Sequence, residues 1–171
     1  MRGLFFLLGV LSTAAVHAQK APTVDLLQLT LGKPFPIPPL SPAKEREGSL
    51  PFYSITVPMP ETSALKIFVE YSADVMFDTK NIYALRASRT FDSVDACTRA
   101  LKTLIAPLTR AYSLRATKSE SSLFQAAAGD VEAHSYCGYD EGSPYPTLRL
   151  FIGSKAEKER VGALMKKSHG R

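Results

Sequence analysis

The sequence predicts an α+β fold: an antiparallel sheet with one long kinked helix (residues 92–113) and a short C-terminal helix packed on one face, tied by a helix-to-strand disulfide. Three observations predict it. Residues 91–114 carry one apolar stripe, at Cys97, Leu101, Leu104, Ile105, Leu108 and Tyr112, in the steps of three and four that one face of a helix requires. Runs that alternate with a period of two stand on both sides of this stretch, as in a sheet with one covered face. The chain has two cysteines, one on the helix stripe and one on a strand-like run. Strands, a long helix, strands and a short helix is the order of a sheet with its helices segregated to one face.

Taken in order, residues 1–18 read as a signal peptide. Arg2 is a minimal basic region, residues 4–11 a short apolar run, and Val16-His17-Ala18 places small residues where signal peptidase reads them. The run is too short to span a bilayer. Residues 19–60 are expected to form an extended arm leading into the first strand. Most of the prolines lie there, in KPFPIPPLSP and PFYSITVPMP; proline fixes φ and has no N–H, so this stretch is poor in ladder hydrogen bonds. The arm is expected to lie over the domain, anchored by Phe35 and Ile37; the alternative is a proline-rich docking peptide for an aromatic groove. The stretch LTLGKPFPIPPL is similar to an L-G-x-P-hydrophobic-x-x-P segment near the N-terminus of proteobacterial exported proteins, and that resemblance implies no activity.

Residues 61–171 are expected to be the core domain. Residues 52–57, 65–71 and 81–88 alternate as strands, and residues 72–80 form a connection with a possible short strand at 75–77. Asp92 is the expected N-cap of the central helix, with Asp95 near the positive end of its dipole. Pro107 removes one helical bond, yet the stripe continues from Ile105 to Tyr112, so a bent but unbroken helix is expected. Residues 113–122 are polar connection. Residues 123–127 form a strand, although three alanines there could extend a helix. Gly129-Asp130 is a turn, and residues 131–137 and 147–152 are strands. Ser154-Lys155-Ala156-Glu157 is a capping-box pattern opening a last helix over residues 155–167.

About 150 residues remain after the signal, enough for one domain with a real core. The whole chain carries a net charge of +5, of which Arg2 leaves with the signal. A basic exported protein meets envelope surfaces and proteins rather than nucleic acid. The expected localisation is therefore periplasmic or secreted, with no membrane span. Cys97 and Cys137 read as one disulfide closing a loop of about 40 residues, for which chain entropy gives roughly 4 kcal/mol.

The search for chemistry is largely negative. His134 and Cys137 stand three apart on a strand and point to opposite faces, so they cannot converge on a metal. No C-x-x-C accompanies Cys97. No G-x-S-x-G elbow, dinucleotide fingerprint or Walker lysine is present. No catalytic residue, cofactor or metal is therefore assigned. Glu70, Asp74, Asp78, Asp140 and Glu141 could supply paired carboxylates, as any chain of this size could.

One stretch does point to recognition: YCGYDEGSPYP, residues 136–146, read as a loop after a strand. Tyr136, Tyr139, Asp140, Glu141 and Tyr145 are the candidate partner-binding residues. Tyrosine gives contact area at low entropic cost, while glycine and serine let a loop conform. The expected function is an exported, soluble, non-catalytic binding protein that docks on, inhibits or neutralises another envelope or secreted protein. The alternative is a cell-envelope hydrolase using surface carboxylates.

Overall fold

The computed structural model describes residues 29–36, 50–56 and 65–169, with side chains described to residue 167. The expected signal peptide, most of the expected proline-rich arm and residue Ile37 lie outside the described residues.

Seven strands form one antiparallel sheet: β1 (Phe52–Thr56), β2 (Glu70–Met76), β3 (Ile82–Thr90), β4 (Arg115–Ser119), β5 (Leu123–Ala128), β6 (Val131–Tyr139) and β7 (Pro146–Ser154). Two helices accompany it, α1 (Val94–Ala111) between β3 and β4, and α2 (Lys155–His169) after β7. Strand order is β1-β2-β3-β7-β6-β5-β4. The first three strands form a meander. α1 then carries the chain to the far edge, and the last four strands return until β7 pairs with β3 at the centre.

α1 forms where the apolar stripe predicts it: Cys97, Leu101, Leu104 and Leu108 are its buried residues. The N-cap is Ser93, not Asp92. Ser93 has extended backbone (φ −151°, ψ 155°), and its hydroxyl accepts from the Ala96 N–H at 3.2 Å, so the helix starts one residue later than expected. α1 has 18 residues and runs through Pro107; the expected long kinked helix is not shown. At its other end the Leu114 N–H donates to the Thr109 carbonyl at 3.0 Å across Ser113, whose φ is +51°. That is a Schellman ending with a serine in the position glycine usually takes, and Leu114 folds into the core behind it.

The main core lies between α1 and one sheet face. Leu148, Leu150 and Ile152 of β7, Ala133 of β6, Phe124 and Ala126 of β5, and Leu85 and Ala87 of β3 pack with the helix stripe. The disulfide joins the first turn of α1 to β6, with Cα atoms of Cys97 and Cys137 5.9 Å apart. Residues 29–36 lie against this body. The Gly32 N–H donates to the Ile82 carbonyl, the Ile82 N–H to the Lys33 carbonyl, and Leu29 is buried in the core.

Three further expectations are corrected. The helices do not share a face. Val161, Leu164 and Met165 of α2 pack with Phe151, Tyr83, Ala84 and Met76, on the side of β7 opposite Leu148, Leu150 and Ile152. The cause is the missing linker: β7 ends at Ser154, α2 begins at Lys155, and the chain turns straight back over the outer face. Ser154 caps it by accepting from the Glu157 N–H at 3.1 Å, and Asp130, from the turn between β5 and β6, accepts from the Ala156 N–H at 2.8 Å.

The second correction concerns residues 65–71, which are not one strand. Leu65 and Phe68 are both buried around a turn, and the Tyr71 hydroxyl donates to the Phe68 carbonyl at 2.5 Å and reaches the Leu65 carbonyl at 3.2 Å. β2 therefore begins at Glu70 and takes in residues assigned to a connection. Where β2 meets β3 the pairing passes from Asp74↔Ala84 to Val75↔Ile82, leaving Tyr83 as an extra residue. This bulge lets Ile82 and Leu85 face the main core while Tyr83 and Ala84 face α2. The third correction is β4, an edge strand with every side chain exposed, where only polar connection was expected.

Candidate functional site

The site candidates sit at one end of the β6–β7 hairpin and on the outer sheet face beside it. Residues 136–146 are not all loop. β6 continues to Tyr139 and β7 begins at Pro146, so the turn is residues 140–145. The longer strand follows from the register, in which Tyr136 opposes Arg149, Cys137 opposes Leu148 and Tyr139 opposes Pro146. The turn is internally braced. The Ser143 N–H donates to the Asp140 carbonyl at 3.0 Å, the Ser143 hydroxyl accepts from the Tyr145 N–H at 3.2 Å, and Gly142 takes φ +76°. The Pro146 carbonyl accepts from the Phe91 N–H at 2.9 Å, which ties the hairpin to the start of α1.

All three tyrosines are exposed: Tyr136 at 44%, Tyr139 at 61% and Tyr145 at 52%. They do not form one patch. Along β6, Ala133 and Cys137 point to the α1 side, so Tyr139 falls on that side and Tyr136 on the other. Asp140 forms an ion pair with Arg149. The hydrogen bond from Arg149 is the main reason the Asp140 carboxyl is held below its ordinary value; partial burial opposes it, and a bond from Thr147 adds to it. Glu141 is exposed in the turn.

The outer face can be read from the register as rows across the sheet. One row is Thr56, Ser72, Arg86, Phe151, His134, Gln125 and Lys118; a second is Glu70, Ser88, Arg149, Tyr136 and Leu123. Between them lies an open depression of about 890 Å³, lined by Thr56, Val69, Glu70, Arg86, Tyr136 and Phe151 among others. One lining residue, Arg86, is held by a network beside the depression. Asp74, 1% exposed, accepts from the Ser54 hydroxyl at 2.5 Å and from Arg86 Nε at 2.5 Å. The Arg86 guanidinium lies 5.2 Å from the centroid of the Phe151 ring.

Four of the five carboxylates named as material for a hydrolytic pair have a partner of their own. Asp74 is held by Arg86, Asp78 by Arg160, Asp140 by Arg149, and Glu70 accepts from the Ser88 hydroxyl at 2.6 Å. His134 stands 3.8 Å from Glu132, whose carboxylate also takes Lys158 at 2.6 Å. Cys137 is in the disulfide, and among the described residues no cluster of three metal-ligating side chains occurs. Among the described residues, no helix is long and apolar enough to cross a membrane.

No family model, no curated protein and no solved structure matches the chain.

Sequence reasoning missed the outer-face residues Ser54, Arg86, Arg149 and Phe151, and named Asp74 only as one carboxylate among five. For Arg149 and Phe151 the signal was present, since they alternate with three inward leucine and isoleucine positions. For Ser54, Asp74 and Arg86 the signal is cross-strand pairing, which no local pattern carries.

Proposed function

We propose that the protein is an exported, non-catalytic binding module that docks on another envelope or secreted protein through the tip of the β6–β7 hairpin. The observation that carries this reading is the exposure of Tyr139 and Tyr145 at a tip whose backbone is already fixed. Large tyrosines on a braced turn lose little conformational freedom on docking. The disulfide at Cys137, the Asp140–Arg149 ion pair and the Phe91 to Pro146 hydrogen bond all limit movement of that tip. Asp140 and Glu141 add acidic groups to a basic chain, which suits a partner with a basic contact surface. Tyr136 stands apart, on the outer face, and contributes only at the margin of this contact.

The test is a Tyr139→Ala, Tyr145→Ala double variant. Partners captured from periplasmic extract by the mature protein are identified, purified and titrated against both forms. Truncating a hot-spot tyrosine costs about 2 kcal/mol, roughly 30-fold in Kd, so the double variant should lose at least that much affinity. A folded double variant that binds the same partners with unchanged affinity refutes the reading.

A further inference from the structure

The outer face of β2, β3, β7 and β6 carries a feature that the hairpin reading leaves unused. A carboxylate is buried there in order to hold an exposed cation. Asp74 is almost wholly inaccessible and spends both oxygens on Ser54 and Arg86, while the Arg86 side chain remains 48% exposed above the sheet. A buried carboxylate needs such partners, but the result is a guanidinium fixed in one orientation against the Phe151 ring. Arg149 is paired with Asp140, a carboxylate that itself stays 40% exposed. Arg86 opposes Phe151 and Arg149 opposes Ser88, so the two arginines are diagonal neighbours on adjacent strands, with Cα atoms roughly 7–8 Å apart. Tyr136, directly opposite Arg149, stands beside them with its ring exposed.

The charge balance selects the ligand. Each guanidinium has its own carboxylate, and Glu70 at the margin leaves the depression without positive excess. Phosphate chains and nucleic acid, which need unneutralised cations, fit poorly. The remaining polar groups mix donors and acceptors at close spacing: the N–H groups of Arg86 and Arg149, the Glu70 carboxylate, and the hydroxyls of Thr56, Ser72 and Tyr136. A ligand that is both donor and acceptor at every position, neutral overall, and apolar on one face matches that mixture. A pyranose ring has these properties, its hydroxyls at the rim and its C–H groups on the flat face, where a tyrosine ring can stack. An open depression of about 890 Å³ lies in the range of ligand-binding clefts.

We infer that the depression on the outer face is a binding site for a neutral oligosaccharide, with Arg86, Arg149 and Glu70 reading ring hydroxyls and Tyr136 stacking on a sugar face. This goes beyond the hairpin contact and does not use its central residues, Tyr139 and Tyr145. The test titrates chitotetraose, cellotetraose and maltotetraose into isotopically labelled mature protein, with polygalacturonate as the anionic control. At least one neutral saccharide should shift the amides of Ser72, Arg86, Tyr136 and Phe151. Tyr136→Ala and Arg86→Lys should each weaken that binding at least tenfold with the fold intact, and Tyr139→Ala with Tyr145→Ala should leave it unchanged. The inference is overturned if no neutral saccharide shifts these amides at millimolar concentration, if only the polyanion does, or if binding survives both outer-face variants. An acidic or basic protein segment that shifts the same amides in place of every saccharide also overturns it.

Discussion

Reducing the Cys97–Cys137 bond is expected to lower stability by about 4 kcal/mol. The bond closes a loop with a sequence separation of 40, and the chain-entropy model gives about that value for such a loop. For a domain of this size each kcal/mol moves the midpoint by about 2–4 °C, so the melting temperature should fall by roughly 8–16 °C. Reduction is the cleaner perturbation because both sulfurs stay in place. Cys97 is fully buried in the core, so Cys97→Ala adds a cavity cost of about 1 kcal/mol to the loop effect. The assay is thermal and urea unfolding with and without a phosphine reductant, with thiol titration to confirm that both cysteines are free. The reduced protein should also show a slightly larger urea m-value, since its unfolded chain is less constrained. A fully reduced protein whose midpoint falls by less than about 4 °C refutes the argument, because the loop effect would then be at most about 1–2 kcal/mol.

Three further predictions concern local features. Ser113→Gly should stabilise the protein by roughly 0.5–1 kcal/mol in urea unfolding, because glycine takes the +51° φ at the end of α1 without strain; a loss of stability would show that the serine side chain contributes there. Pro107→Ala should be neutral to about 2 kcal/mol stabilising, since it restores an N–H for the Thr103 carbonyl while loosening the unfolded chain; a loss above about 1 kcal/mol would mean that the proline is required by its packing. Arg149→Ala should raise the Asp140 midpoint toward its ordinary carboxylate value in an NMR pH titration, and no movement would refute the assignment. The sign for stability follows: the folded value is depressed, so the contribution of the ion pair is complete above the ordinary carboxylate pKa and disappears as pH falls through the lowered folded one.

What was legible in the sequence was what local periodicity encodes. The α1 stripe, the Gly129-Asp130 turn and the strand of β7 are each fixed by neighbours a few residues apart, and each appears as expected. The cysteine pairing was legible by elimination. What failed was decided by tertiary contacts. Leu65, Ile67, Val69 and Tyr71 mimic a strand's alternation, but Leu65 and Phe68 are both buried by a turn that the Tyr71 hydroxyl closes. β4 has no apolar residue larger than Ala116 to mark it, since an edge strand with both sides in solvent needs only a backbone partner. The side taken by α2 depends on a chain reversal at Ser154 that no hydrophobic pattern records. At the candidate site, the tyrosines were legible as residue types, but their division between two faces follows from strand parity once β6 is known to reach Tyr139.

The position of β7 has a consequence for how the chain can be cut. It is the last strand in sequence yet lies fourth of seven in the sheet, filling the gap between β3 and β6. The three strands before α1 and the three after it touch each other in the sheet only through β7. A chain ending before Pro146 therefore has two half-sheets with four bare edges instead of one sheet with two, and the new edges are the longest strands in each half. Both cysteines precede that point, so an oxidised truncated chain can still hold β6 beside α1 with the central slot vacant. Such a fragment is a template for any extended segment that reaches it, and a synthetic peptide spanning residues 146–154 is the natural occupant.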